Sequence, residues 1–182
     1  GVHMSNNKLL ATATLVVAIS WLITPSAHAA IAFVNGATGG ASSAGSTSIA
    51  AAAANHTTGN LLVVLVSTET TGVSVSSLAD TAGNTYTYIS RIDSGSQNVE
   101  MWYAKNITGH ASNVVTATLS ASATWRNIVV LQYSGCDTTS PYDVSATGSG
   151  LNVTSQSTGS AVTTAANEVI VAGYKEWLSG TF

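Results

Sequence analysis

Charge is what this sequence has least of. Only 13 of its 182 residues are Asp, Glu, Lys or Arg, 7% of the chain, where a soluble domain usually carries about 25%. The five basic residues are scattered, which excludes a basic nucleic-acid footprint. No run of like charge is present to form an acidic tail or a charged coil. Solubility therefore rests on Ser, Thr, Asn and Gly. Cysteine is nearly absent too: Cys136 stands alone, so no disulfide can close within the chain, and it reads as a small, half-buried thiol beside a turn. Beyond residue 29 no segment carries a helical period, and without helical crossovers a parallel α/β sheet is excluded. Catalytic signatures are missing as well. There is no G-x-S-x-G, H-E-x-x-H, Walker loop or C-x-x-C, and Gly148-Ser149-Gly150 lacks the third glycine of a dinucleotide turn. His56 and His110 are the only histidines after residue 29. Both fall in stretches that read as polar loops, poor settings for an oriented catalytic base. The reading is of a non-enzymatic chain with no catalytic residues, no metal site and no cofactor.

What is present begins with a targeting pattern. Met4, Lys8, an apolar run over 9–23, Pro25 and Ala27-His28-Ala29 follow the order of a secretory signal. The run is short of the roughly 20 apolar residues that a membrane span requires. Residues 1–29 are thus expected to be a cleavable signal helix, with 1–3 extraneous, and 30–182 the secreted module. Past the cleavage point, four basic residues face eight acidic ones, a net charge of −4. The mature chain carries no membrane span and has no affinity for nucleic acid.

The module is organised around residues 59–92. Residues 61–66, Leu-Leu-Val-Val-Leu-Val, have the length and boundaries of a buried strand. In Asp80-Thr81-Ala82-Gly83-Asn84, Gly83 supplies a positive φ and the two Asx side chains bond the local backbone, which makes a turn. Calcium at Asp80 and Asn84 is disfavoured because one carboxylate is thin for that ion. The β-branched and aromatic residues 85–89 form a strand. A hairpin through Ser94-Gly95-Ser96-Gln97 leads to residues 99–104, with Val99, Met101 and Tyr103 on one face and Glu100, Trp102 and Ala104 on the other. Further strands are expected over 31–34, ending at an Asn35-Gly36 turn, and over 47–54, 73–78, 114–119, 127–133, 142–146, 151–154, 161–164 and 169–172. This spacing predicts an all-β fold, an antiparallel β-sandwich of jelly-roll-like or immunoglobulin-like type. The runs at 61–66, 128–131 and 169–172 are apolar on both faces, so something must cover the outer face of at least one sheet.

Laid out in this way, the chain resembles a repeat-type β-sandwich module of secreted bacterial surface and extracellular proteins. The shared pattern is GNLLVV, then DTAGNTYT, WYAKNI, YSGCDTTSPYDV and ANEVIVAGY, over about residues 33–182. The resemblance implies an extracellular structural or adhesive unit, sometimes set beside carbohydrate-active domains. It carries over no catalytic residues. Such modules continue through further strands, so the resemblance also implies that 30–182 is incomplete at its C-terminal end. In that case a strand at 169–172 would leave an open edge prone to self-association.

Three groups of residues merit testing as sites. Glu100 with Glu168 and Asp137 with Asp143 are the carboxylate pairs a glycosidase would need. Asp-Thr-Thr-Ser-Pro-Tyr-Asp reads as turn chemistry, and the two glutamates read as solvent-facing positions or guards of a sheet edge. Trp102, Trp125 and Trp177 form the candidate glycan-stacking set, with Trp125 beside Arg126 the most exposed of them. The expected function is a non-enzymatic structural or adhesive module, and the alternative is a carbohydrate-binding module. Its partners would be an extracellular glycan or a neighbouring module of the same protein.

Overall fold

The computed structural model describes residues 29–41, 44–150, 155 and 157–175. The expected signal at 1–29 lies outside these apart from Ala29. Ten strands form among the described residues: β1 (Ala32–Ala41), β2 (Ser46–Ala50), β3 (Ala54–His56), β4 (Leu61–Thr68), β5 (Val75–Asp80), β6 (Thr87–Ser94), β7 (Gln97–Ala104), β8 (His110–Asn113), β9 (Val115–Ala123) and β10 (Arg126–Ser134). No helix occurs among the described residues, and so none that is long and apolar enough to cross a membrane. The strands make a five-stranded sheet in the order β1-β10-β4-β7-β6, a three-stranded sheet β2-β9-β5 and a two-stranded sheet β3-β8. Every pairing is antiparallel. The sheets pack together as the β-sandwich that the strand spacing predicts.

The period of two along β4 assigns its side chains to two layers. Leu62, Val64 and Val66 join Ile128 and Val130 of β10 in the main core, packed with Ile49, Val75, Val115, Ala117 and Leu119 of the smaller sheet. Leu61, Val63 and Leu65 face the other way, into a second cluster with Tyr133, to which Ile31, Val99, Met101, Tyr103, Val129, Leu131, Cys136 and Val171 add. The cover required for a strand apolar on both faces is supplied by the segments on either side of the strands. Ile31 and Val171 pack on this outer layer, and Gly173 lies so close to Leu65 that a side chain there would force the Leu65 side chain to move. Lys175 is ion-paired with Glu69 at the end of β4. Tyr142 stacks on Tyr103 of β7, with ring centroids 6.3 Å apart, and Lys105 donates to the Thr139 carbonyl.

Several expectations need correction. Asn35-Gly36 is not a turn. β1 runs through it to Ala41, with Val34 as an extra residue between Phe33 and Asn35. β3 and β8 stand where loops were expected. No strand follows Ser134 among the described residues. Residues 142–146, 161–164 and 169–172 have no ladder partner, Ile170 is 85% exposed, and 151–154 lie outside the described residues. The physical reason is that an apolar β-branched run becomes a strand only where a neighbouring strand accepts its backbone bonds. Both flanks of β4, of β7 and of β10 are already occupied. The open strand edge expected at 169–172 is therefore not formed.

Candidate binding shelf on the open side of the sandwich

One side of the sandwich is closed by backbone. Ala52 N–H donates to the Thr38 carbonyl, 3.0 Å, carrying β1 into the connection after β2. The opposite side is fastened by side chains. Glu100 of β7 is buried between the sheets, and its Oε1 accepts the Val75 N–H of β5 at 2.9 Å and Arg91 Nη1 at 3.1 Å. Its Oε2 accepts the Trp102 indole N–H at 3.2 Å. At the other end of β5, Asp80 accepts from Asn84 N and Nδ2, both 2.8 Å, from the Tyr86 hydroxyl, 2.8 Å, and from Asn113 Nδ2, 2.9 Å. Burial alone would raise the pKa of Asp80. The donors from Asn113, Asn84 and Tyr86 outweigh it and hold the carboxyl below its ordinary value. Burial and the same bond to Asp80 push the Tyr86 hydroxyl pKa up.

The expected turn at 80–84 is present, with Gly83 at φ +77° and its N–H bonded to the Asp80 carbonyl at 3.2 Å. The Asp80 carboxylate is ringed by N–H and O–H donors, the reverse of what a cation requires. Among the described residues no group of three or more His, Cys, Asp or Glu side chains is placed to hold a metal.

β5 is fastened to β7 through Glu100, and β6 lies one strand further out, at the edge of the larger sheet. Its inner-face side chains form a shelf. Tyr88 is 49% exposed and meets Trp102 edge to face, with centroids 5.2 Å apart and planes at 73°. Arg91 forks onto Asp93 through Nε and Nη2, both 2.7 Å, while its third bond runs to buried Glu100. Ile89 is an extra residue of β6 between the Tyr88–Trp102 and Ser90–Met101 pairs.

The candidate residues are distributed as follows. Glu100 is not solvent-facing; it is 2% exposed, because its strand position turns it under β5. Glu168 is exposed and accepts the Ala165 N–H at 3.0 Å. Asp137 caps its own turn, accepting Thr139 N at 2.6 Å and Ser140 N at 2.8 Å, as the turn reading predicts. Asp143 is bonded to Thr164 N and Oγ1, 2.8 and 2.7 Å. Trp102 is half-buried against the core, whereas Trp125, 51% exposed, sits at the β9–β10 turn two strands away from it. Trp177 lies outside the described residues. No row of tryptophans forms among the described residues. Cys136 is half-buried, and burial raises its thiol pKa.

Neither His56 nor His110 is in a loop. His56 in β3 is 2% exposed, its Nδ1 3.0 Å from Asn113 Nδ2, and burial depresses its pKa against the opposing charge of Asp80. Tyr88 and Arg91 were missed as site residues. The available signal was that the β-type run 86–93 carries Arg91 and Asp93 near its end, the pattern of an edge strand with one unroofed face. Comparison with protein-family models, with curated proteins and with solved structures finds no match to this chain.

Proposed function

We propose that this chain is a non-catalytic β-sandwich module of a secreted protein, with a structural or adhesive role toward an extracellular glycan or a neighbouring module. The observation that carries this reading is the use made of Glu100, the best-placed candidate acid. Both of its carboxylate oxygens are committed to holding β5, Arg91 and Trp102, and it shares no partner with Glu168. A general acid or base needs a free oxygen within reach of a substrate proton. Screening the protein against polysaccharide and ester substrates tests the reading. The expected outcome is no turnover and a lowered melting temperature for Glu100→Gln. Turnover that vanishes in Glu100→Gln or Glu168→Gln would overturn it. For the secretory part, mass spectrometry of protein exported from a bacterial host is expected to find Ala30 at the N-terminus.

The carbohydrate-binding alternative is favoured by one specific observation, the exposed Tyr88 ring braced by Trp102. It does not draw on a tryptophan row.

A further inference from the structure

We infer that the shelf made by Tyr88, Trp102, Arg91 and Asp93 is a carbohydrate site that takes the flat face of an extended, uncharged, β-linked polysaccharide. The inference rests on the non-catalytic adhesive reading above and gives it a ligand class and a place.

Three features of the shelf converge on that ligand. The first is a rigid apolar platform. Tyr88 projects from a strand, and the edge-to-face contact with Trp102 fixes its ring. Trp102 is in turn held by its indole N–H bond to Glu100. A ring already locked loses little side-chain entropy when a ligand covers it. The second is a set of polar groups fixed on the same face. Arg91 pairs across the ladder with Glu100, and Tyr88 pairs with Trp102. Glu100 and Trp102 are two residues apart on β7, so the aromatic and charged positions are separated by about 7 Å, a distance that one sugar ring covers. The Asp93 side chain is 53% exposed. Arg91 occupies two of its roughly four lone-pair sites, which leaves acceptors aimed outward for ring hydroxyls.

The third feature is what the shelf refuses. Arg91 donates two bonds to Asp93 and one to buried Glu100, so its charge is met by two carboxylates and no unpaired cation awaits a phosphate or a peptide carboxylate. A peptide adding itself as a strand needs an unbroken edge. The extra residue at Ile89 interrupts the register of β6, and a bulge of this kind blunts strand addition. Two grooves lie apart from it, one between Leu65, Val129 and Tyr174 and one beside Ala79 and Thr116. An open shelf without walls suits the middle of a chain rather than its end. An uncharged polyhydroxyl ribbon with an apolar face meets all of these conditions.

The test is co-sedimentation of the full chain with microcrystalline cellulose, insoluble chitin and insoluble mannan, all β-1,4-linked. Alongside the native protein run Tyr88→Ala, Tyr88→Phe, Asp93→Ala and Trp125→Ala, with a melting curve for each. The expected result is binding to at least one polymer, weakened at least tenfold in Tyr88→Ala and severalfold in Asp93→Ala. Binding is kept in Tyr88→Phe, which retains the ring, and in Trp125→Ala. Because Tyr88 is half-exposed, melting of Tyr88→Ala should stay within a few degrees of native, and a collapsed melt leaves Asp93→Ala and Tyr88→Phe to decide. Binding that is indifferent to Tyr88 and Asp93 would overturn the shelf while leaving an adhesive module. No binding to any of the three polymers would overturn the glycan assignment. Capture of a proline-rich peptide, lost in Tyr88→Ala, would also overturn it in favour of a protein ligand. Release of soluble sugar from the polymers would instead overturn the non-catalytic reading.

Discussion

At the scale of single residues, the polar groups that matter are buried ones. Asp80 holds Asn84, Tyr86 and Asn113 together, so Asp80→Ala strands three sets of donors at once. We expect a loss of roughly 2–3 kcal/mol, read as a lower midpoint in urea. The same residue sets an acid limit. Its pKa is depressed in the fold, so its contribution is complete above the unfolded value near 4 and disappears as pH falls through the folded value. The pKa of His56 is also depressed. The unfolded chain then takes up more protons below about 6.5, and stability declines from there downward until the folded value is passed. Melting temperature against pH should therefore fall in two stages, and His56→Phe should remove the upper one. Gln132 is a contrasting case: it is fully buried, with neither amide atom hydrogen-bonded. It pairs with Asn35 and Leu62 across the ladders, and Asn35 Oδ1 is likewise unpaired. Gln132→Leu removes two unsatisfied groups, and we expect a gain of about 1 kcal/mol. A loss of that size would show that ordered water holds the amide.

At the scale of elements, the central ladders are regular and the outer ones are interrupted. β10–β4 and β4–β7 run without a shift, while β1, β5 and β6 each carry an extra residue, at Val34, Ser76 and Ile89. Interior pairing gains from continuity, and an exposed edge gains from being hard to extend. β5 is an edge strand, with β9 on one side and the Glu100 side chain on the other. Glu100→Ala should therefore loosen it selectively. We expect a loss of about 3 kcal/mol, as when one partner of a buried ion pair is removed. Amide exchange should accelerate at Val75 and its β5 neighbours more than in β4. Uniform acceleration across both sheets would show that Glu100 supports the whole core instead.

At the scale of the molecule, the sandwich depends on β10, which reaches back between β1 and β4. Contacts so distant in sequence make folding slow for the chain's size. Among the described residues, the segment after β10 adds cover rather than sheet. Val171 and Gly173 rest on Leu65 and its neighbours, so a chain ended at Gly148 should keep its far-ultraviolet β spectrum. Its outer layer should be exposed, and binding of a hydrophobic dye such as ANS should rise severalfold. Loss of the β spectrum would show that this segment is integral to the fold.

Strand periodicity in β4, β7 and β10, the Asp80 turn and the β6–β7 hairpin were all legible in the sequence. Each depends on residues within a few positions of one another: alternation, a glycine of positive φ, and β-branched runs ended by polar residues. The division of β7 into an outer face of Val99, Met101 and Tyr103 and an inner face of Glu100, Trp102 and Ala104 followed from the same period. Only the tertiary structure decided what those faces meet. Burial of Glu100 depends on β5, 25 residues away, lying across it, and burial of His56 depends on Asn113, 57 residues away. The shelf exists because one sheet has two more strands than the other. Residues 169–172 have the local character of a strand, yet they form none among the described residues, since strand character is a local preference and a strand is a pairing with a distant partner.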